Sequence, residues 1–171
     1  LGLPLEERIV LYVGNLVEVK GPDILIDAVP HLPDDVQVFI IGSGALEDSL
    51  KAKIKTLKLD KKVVFVGIKP HKDIPLWMNA CDILCLPSLS EGYPNVVLES
   101  MACGRPVVAS KVGGLEEIVR LDDLGILVER GDVTALAKAL ARALHRKWDY
   151  FAIREKFFAS SWTDNAETLK K

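Results

Sequence analysis

The sequence predicts a doubly wound, Rossmann-like α/β fold: a mostly parallel six-stranded sheet with helices on both faces. Three observations carry this expectation. Short runs of apolar, often β-branched residues recur along the chain, helical segments lie between them, and glycine or proline punctuates most junctions. A run that is apolar throughout reads as a strand buried on both faces, and strands that alternate with helices pair in parallel through crossovers.

The first strand is expected at Ile9–Val13, followed by Gly14-Asn15-Leu16 and a helix over Pro22–Val29. Pro22 suits a first helical position, where the missing N–H costs nothing. The second strand, Val36–Ile41, ends in Gly42-Ser43-Gly44 before a helix over Ala45–Leu57. The third, Val63–Val66, precedes a helix at Asp73–Ala80. The fourth, Ile83–Leu86, leads through a loop into a helix over Pro94–Cys103, with Pro94 at its first position and Gly104 as its stop. The fifth, Pro106–Ala109, precedes a short helix at Leu115–Val119, and the sixth, Gly125–Val128, a long one at Val133–Lys147. After Trp148 the pattern becomes an aromatic tail with Tyr150, Phe151, Phe157, Phe158 and Trp162. In that tail Asp164 and Glu167 stand at capping-box spacing and predict a final helix starting there. So many aromatics need a surface to cover, either this domain's own flank or a partner lobe. Residues 1–171 therefore read as a single domain, with 148–171 as a terminal helical tail.

The 171 residues are 49% hydrophobic and 27% charged, the balance of a soluble globular protein. A net charge of −2 offers no general attraction to nucleic acid or to an anionic membrane. The apolar runs are far too short to span a bilayer, and no basic-then-apolar leader opens the chain, so a cytoplasmic location is expected. A chain that begins at Leu1 without methionine is consistent with an excised fragment. Cys81, Cys85 and Cys103 sit in apolar surroundings and read as small buried hydrophobes. His31, His71 and His145 read as surface residues, and no metal constellation is expected.

In an open parallel sheet, ligands bind beyond the carboxyl ends of the strands. Lys20-Gly21-Pro22 places a cation and free amides at a helix start, which favours a phosphate; a surface lysine beside a Gly-Pro helix start is the other reading. Gly42-Ser43-Gly44 carries the first two glycines of the dinucleotide fingerprint, but Glu47 stands where the third belongs. The helix beginning near Pro94 is apolar on nearly every side and carries Glu99 in its middle. A buried carboxylate needs donors, either protein groups or a ligand diol such as ribose, and the ligand is the favoured reading. Glu91 lies just ahead of that helix. It either faces sugar hydroxyls and the positive charge that grows on a sugar ring as its bond breaks, or it caps the helix. Ser110-Lys111-Val112-Gly113-Gly114 forms a third Gly-rich strand-to-helix loop.

Glu91 and Glu99 enclose seven residues within Pro-Ser-x-x-Glu-Gly-Tyr-Pro-Asn…Glu-Ser-Met-Ala-Cys-Gly-Arg-Pro-Val-Val-Ala-Ser. This E-x7-E segment resembles the C-terminal domain of the retaining glycosyltransferases with the GT-B fold, the group 1 or family 4 enzymes, which transfer mannosyl, glucosyl and N-acetylglucosaminyl groups. Val13-Gly14-x-Leu16 with Lys20-Gly21, the Gly42-x-Gly44 turn and Val112-Gly113-Gly114 are similar to further motifs of that family. The resemblance implies that Lys20 contacts the donor diphosphate and Glu99 the ribose. It places backbone at Ile68 and Lys69 on the base, the segment Gly92, Tyr93, Pro94, Asn95 and Val96 on the diphosphate and hexose, and catalytic Glu91 near the reacting centre. One departure stands out: the family usually carries arginine where this chain has Asn15, and asparagine brings no charge to a diphosphate. The resemblance further implies a nucleotide sugar as donor, an N-terminal acceptor-binding domain as partner with peripheral membrane contact through it, and no metal. Two other classes remain: a NAD-dependent Rossmann oxidoreductase domain, suggested by Gly42-Ser43-Gly44, and a non-catalytic binding module of the same fold, suggested by Asn15.

Overall fold

The structure, a computed structural model, describes residues 6–168 and the side chains as far as residue 159. Six strands, β1 (Arg8–Val13), β2 (Val36–Ile41), β3 (Val63–Gly67), β4 (Ile83–Leu86), β5 (Val107–Ser110) and β6 (Gly125–Val128), form one sheet in the order β3-β2-β1-β4-β5-β6. Every pairing is parallel. Among the described residues seven α-helices accompany them: α1 (Pro22–Ala28), α2 (Glu47–Thr56), α3 (Ile74–Ala80), α4 (Asn95–Ala102), α5 (Leu115–Ile118), α6 (Val133–His145) and α7 (Tyr150–Thr168).

Alternation along β1 shows why the fold is doubly wound. Val10 and Tyr12 join a core with α1, α2 and α6 on one face of the sheet. Ile9 and Leu11, offset by one residue, join a second core with α3, α4, α5 and α7 on the other. Both faces are dry, so β1 reads as an unbroken apolar run. The strand order reverses direction between β1 and β4, and this switch point opens a crevice at their carboxyl ends.

Most expected elements lie within a residue or two of their predicted bounds, and three differ for clear reasons. Pro94 precedes α4 as its N-cap, in extended backbone with φ −77° and ψ 105°, instead of filling the first helical position. Pro106 stands outside β5; lacking an N–H it contributes its carbonyl alone, accepting from Leu84 at 3.1 Å. The final helix starts at Tyr150, well before the Asp164 start that the capping-box spacing suggested. Asp149 provides the cap, its Oδ1 accepting from the amide of Ala152 at 2.9 Å, and Ile153 buries itself against the sheet-side core. The tail thus covers the domain's own flank through Trp148, Ile153 and Phe157, although Phe151 remains exposed. The side chains of Trp162, Asp164 and Glu167 lie outside the described residues.

Candidate functional site

The loops after β1, β4 and β5 are stitched together at the switch point, and glycines allow the approach. Gly21, with φ 62°, lies so close to the carbonyl of Pro87 that a Cβ there would stand 2.2 Å from the oxygen. Gly113, with φ 51°, bears in the same way on the carbonyl of Glu91, at 2.0 Å. Main-chain bonds complete the seam, Leu89 N–H to the Val19 carbonyl at 2.8 Å and Gly114 N–H to the Gly92 carbonyl at 2.9 Å. These loop glycines therefore serve loop-to-loop packing. Buried Tyr12 anchors the first loop from below, its hydroxyl donating to the Asn15 carbonyl at 2.9 Å, and burial pushes the phenol's pKa well above its ordinary value.

This seam brings Lys20 and Glu91 face to face. Lys20 Nζ lies 2.8 Å from both carboxylate oxygens, and the buried Ser88 hydroxyl donates to Oε1 at 2.7 Å. Glu91 is the more enclosed partner, with a side chain 5% exposed against 29% for Lys20. The sequence suggests a cation kept for phosphate and a glutamate facing sugar; in the structure the two satisfy each other first.

Glu99 departs from expectation in the opposite direction. It is the more open carboxylate, with a side chain 31% exposed. Helix α4 packs against the sheet by Val97, Ser100 and Met101, while Val96 and Glu99, one turn apart, share a half-open face. The apolar composition of the helix is spent on the sheet, α3 and α7, leaving the side that carries Val96 and Glu99 half-open. The partner of Glu99 is His71, whose Nε2 lies 3.0 Å from Oε1. His71 is a surface residue as expected, yet it belongs to the site. The signal in the sequence was its place just after Gly67-Ile68-Lys69-Pro70, in the loop following a strand's carboxyl end.

A cleft of about 320 Å³ gathers these groups, within the size of small-ligand sites. Of the predicted residues, Gly14, Asn15, Lys20, Glu91, Pro94, Asn95, Val96 and Glu99 line it. Val13, His71, Ile74 and Leu86 join them without having been predicted. Gly42, Ile68, Lys69, Gly92 and Tyr93 stand outside this lining, and Ile68 and Tyr93 are strongly exposed. At the cleft's edge the amides of Asn95 and Val96 begin α4 and donate to no acceptor among the described residues. A larger cleft of about 460 Å³ lies on the flank between α4, α5 and α7, away from the switch point. The smaller one holds the paired carboxylates and the free helix amides, so the chemistry points there.

Comparison with known proteins decides what this arrangement belongs to. Residues 1–158 match the family described as glycosyl transferases group 1. The chain belongs to that family. The glycosyltransferase domain is 38% identical over 149 residues to a D-inositol 3-phosphate glycosyltransferase of Mycobacterium tuberculosis, covering 84% of this chain and 31% of that protein. A protein of the same description from Xylanimonas cellulosilytica is 33% identical over 149 residues, with 84% and 36% covered. The chain thus spans about a third of the length of the curated relatives it matches. Among solved structures it resembles HepE of Anabaena in complex with UDP and glucose, with TM-score 0.73 and 28% identity over 93% of this chain and 49% of that one. Sucrose-phosphate synthase of Thermosynechococcus elongatus gives TM-score 0.77 and 28% identity over 96% and 47%. The Rossmann-like sheet is that of a GT-B C-terminal domain, and membership of this family leaves the oxidoreductase alternative without support. No helix among the described residues is long and apolar enough to cross a membrane.

Proposed function

We propose that this domain binds a nucleoside-diphosphate sugar as donor for retaining hexosyl transfer, with the acceptor held by a separate N-terminal domain. The observation that carries the proposal is the gathering of Lys20, Glu91 and Glu99 with the free α4 amides in one cleft at the switch point. Glu99 can accept hydrogen bonds from a ribose diol, as a carboxylate has acceptors on both oxygens. The Asn95 and Val96 amides, at the positive end of α4, suit the diphosphate, and Lys20 supplies its cation once it turns from Glu91. Backbone near Ile68 and Lys69 is assigned to the base. Gly92 and Tyr93 flank the hexose, and Gly14 and Gly42 shape the floor of the loops. The binding of UDP by Anabaena HepE makes UDP the first nucleotide to try.

In transfer, the bond between the anomeric carbon and the phosphate oxygen breaks and the nucleoside diphosphate leaves with the electron pair. The acceptor hydroxyl bonds to the anomeric carbon and passes its proton to the departing diphosphate. Glu91, enclosed beside the cleft, stabilises the positive charge that develops on the ring. The diphosphate's charge is balanced by Lys20 and the helix terminus, and the proposal assigns no metal. It places the protein in the cytoplasm and allows peripheral membrane contact through the acceptor domain.

Calorimetry of UDP, GDP, ADP and NAD with the chain and with its Glu99→Ala and Lys20→Ala variants tests this reading. Binding of one diphosphate nucleotide that both substitutions weaken supports it. Equal binding by the variants rejects it, and no binding of any nucleotide favours a non-catalytic module of the same fold.

A further inference from the structure

The donor-site reading leaves His71, a polar member of the cleft, without a role. His71 opens the 3-10 turn His71–Asp73 between β3 and α3, and its Nε2 lies 3.0 Å from Glu99 Oε1. A carboxylate only accepts hydrogen bonds, so the hydrogen lies on Nε2. The imidazole is 83% exposed, so no burial of the ring holds it in place. Glu99 Oε2 receives no hydrogen bond among the described residues, and the Glu99 side chain has no other polar partner there. The contact joins the loop after β3 to the open face of α4, two segments brought together by the packing of α3, which the His71 turn opens, against α4.

We infer that His71 is a positioning residue for the nucleotide. Its Nε2–H occupies one edge of the Glu99 carboxylate and holds the remaining acceptor sites toward the ribose diol. This rests on the reading of Glu99 as the ribose-binding group. The physical gain is preorganisation: a glutamate on a half-open helix face samples several rotamers, and ordering it before the nucleotide arrives removes that cost from binding. Because His71 is exposed, replacing it leaves the core untouched.

The test compares UDP with its 2′,3′-dideoxy counterpart by calorimetry on the chain, His71→Ala, His71→Gln, Glu99→Ala and the double variant His71→Ala/Glu99→Ala. His71→Ala is expected to weaken UDP by about threefold to tenfold, the effect of one partly exposed charge-assisted bond. It should leave the dideoxy nucleotide unchanged. Gln, whose side-chain amide reaches the position of Nε2, should restore most of the loss, and His71→Ala should cost nothing further on a Glu99→Ala background. Equal weakening of both nucleotides, no weakening of UDP where Glu99→Ala does weaken it, or an undiminished loss in the double variant overturns the inference. If UDP, GDP and ADP all fail to bind the unaltered chain, the donor-site reading itself falls, and the role of His71 falls with it.

Discussion

Lys20 Nζ stands 2.8 Å from both carboxylate oxygens of Glu91, tying the loop after β1 to the loop after β4 across the reversal of strand order. Each charge neutralises the other, so a diphosphate that takes Lys20 must compete with a bidentate internal carboxylate.

Removing that competitor separates binding from transfer. Glu91→Gln keeps the shape and a partner for Ser88 but gives up the ion pair, so UDP should bind about threefold to tenfold more tightly by calorimetry. The gain should vanish on a Lys20→Ala background. Looser binding in Glu91→Gln would mean that the carboxylate positions the lysine for the ligand.

Lys20→Ala alone leaves a nearly enclosed carboxylate with the Ser88 hydroxyl as its remaining side-chain donor. It should lower the stability in urea by about 1–3 kcal/mol, less than for a fully buried pair because water reaches the lysine end. The double variant Lys20→Ala/Glu91→Ala should lose less than the two single losses together.

Two glycines of similar φ separate backbone strain from collision. A Cβ at Gly67, φ 75°, meets nothing within 4 Å, whereas one at Gly113, φ 51°, meets the Glu91 carbonyl at 2.0 Å. Gly67→Ala should therefore cost about 1–2 kcal/mol of left-handed strain. Gly113→Ala should cost more and weaken UDP, because the Glu91 loop must move aside. Equal costs for both in urea unfolding would contradict the seam.

Asn15 lines the cleft and is exposed, and its side chain makes no hydrogen bond among the described residues. Asn15→Arg adds a cation beside a diphosphate, and UDP affinity should rise about threefold to tenfold at low salt, with the gain shrinking as salt increases. No gain would place Asn15 away from the phosphates.

Alkaline stability follows from a buried thiol. Burial pushes the Cys81 pKa from 9.0 to about 12, so between these values the unfolded chain has released a proton that the folded chain retains. Fewer protons bound in the unfolded state make stability fall as pH rises. Stability should be level in this respect below about pH 9 and then fall by about 1.4 kcal/mol per pH unit for this group until its folded pKa is passed. Cys81→Ala should reduce the slope of urea-derived stability against pH in that window by one proton's share; an unchanged slope would show that Cys81 does not contribute.

Sequence alone determined the alternation of buried strands with helices, the parallel sheet and the carboxyl-end loops as the place to look. Each depends on local periodicity, which is written within a pleat or a helical turn. The E-x7-E spacing also placed Glu99 on α4 and Glu91 ahead of it, because a helix fixes its own internal distances. Tertiary structure decided the partners. Lys20 meets Glu91 across 71 positions and His71 meets Glu99 across 28, through a strand order that spacing along the chain does not encode. It also decided which carboxylate is enclosed. Glu99 sits in an apolar helix but on its open side, while Glu91 sits in a loop that Gly113 and Gly21 allow to close. The start of α7 was settled likewise, since the packing of Ile153 on the core outweighed a capping pattern farther along the tail. Composition and period report what each segment prefers by itself; exposure and pairing depend on which segments the sheet order brings together.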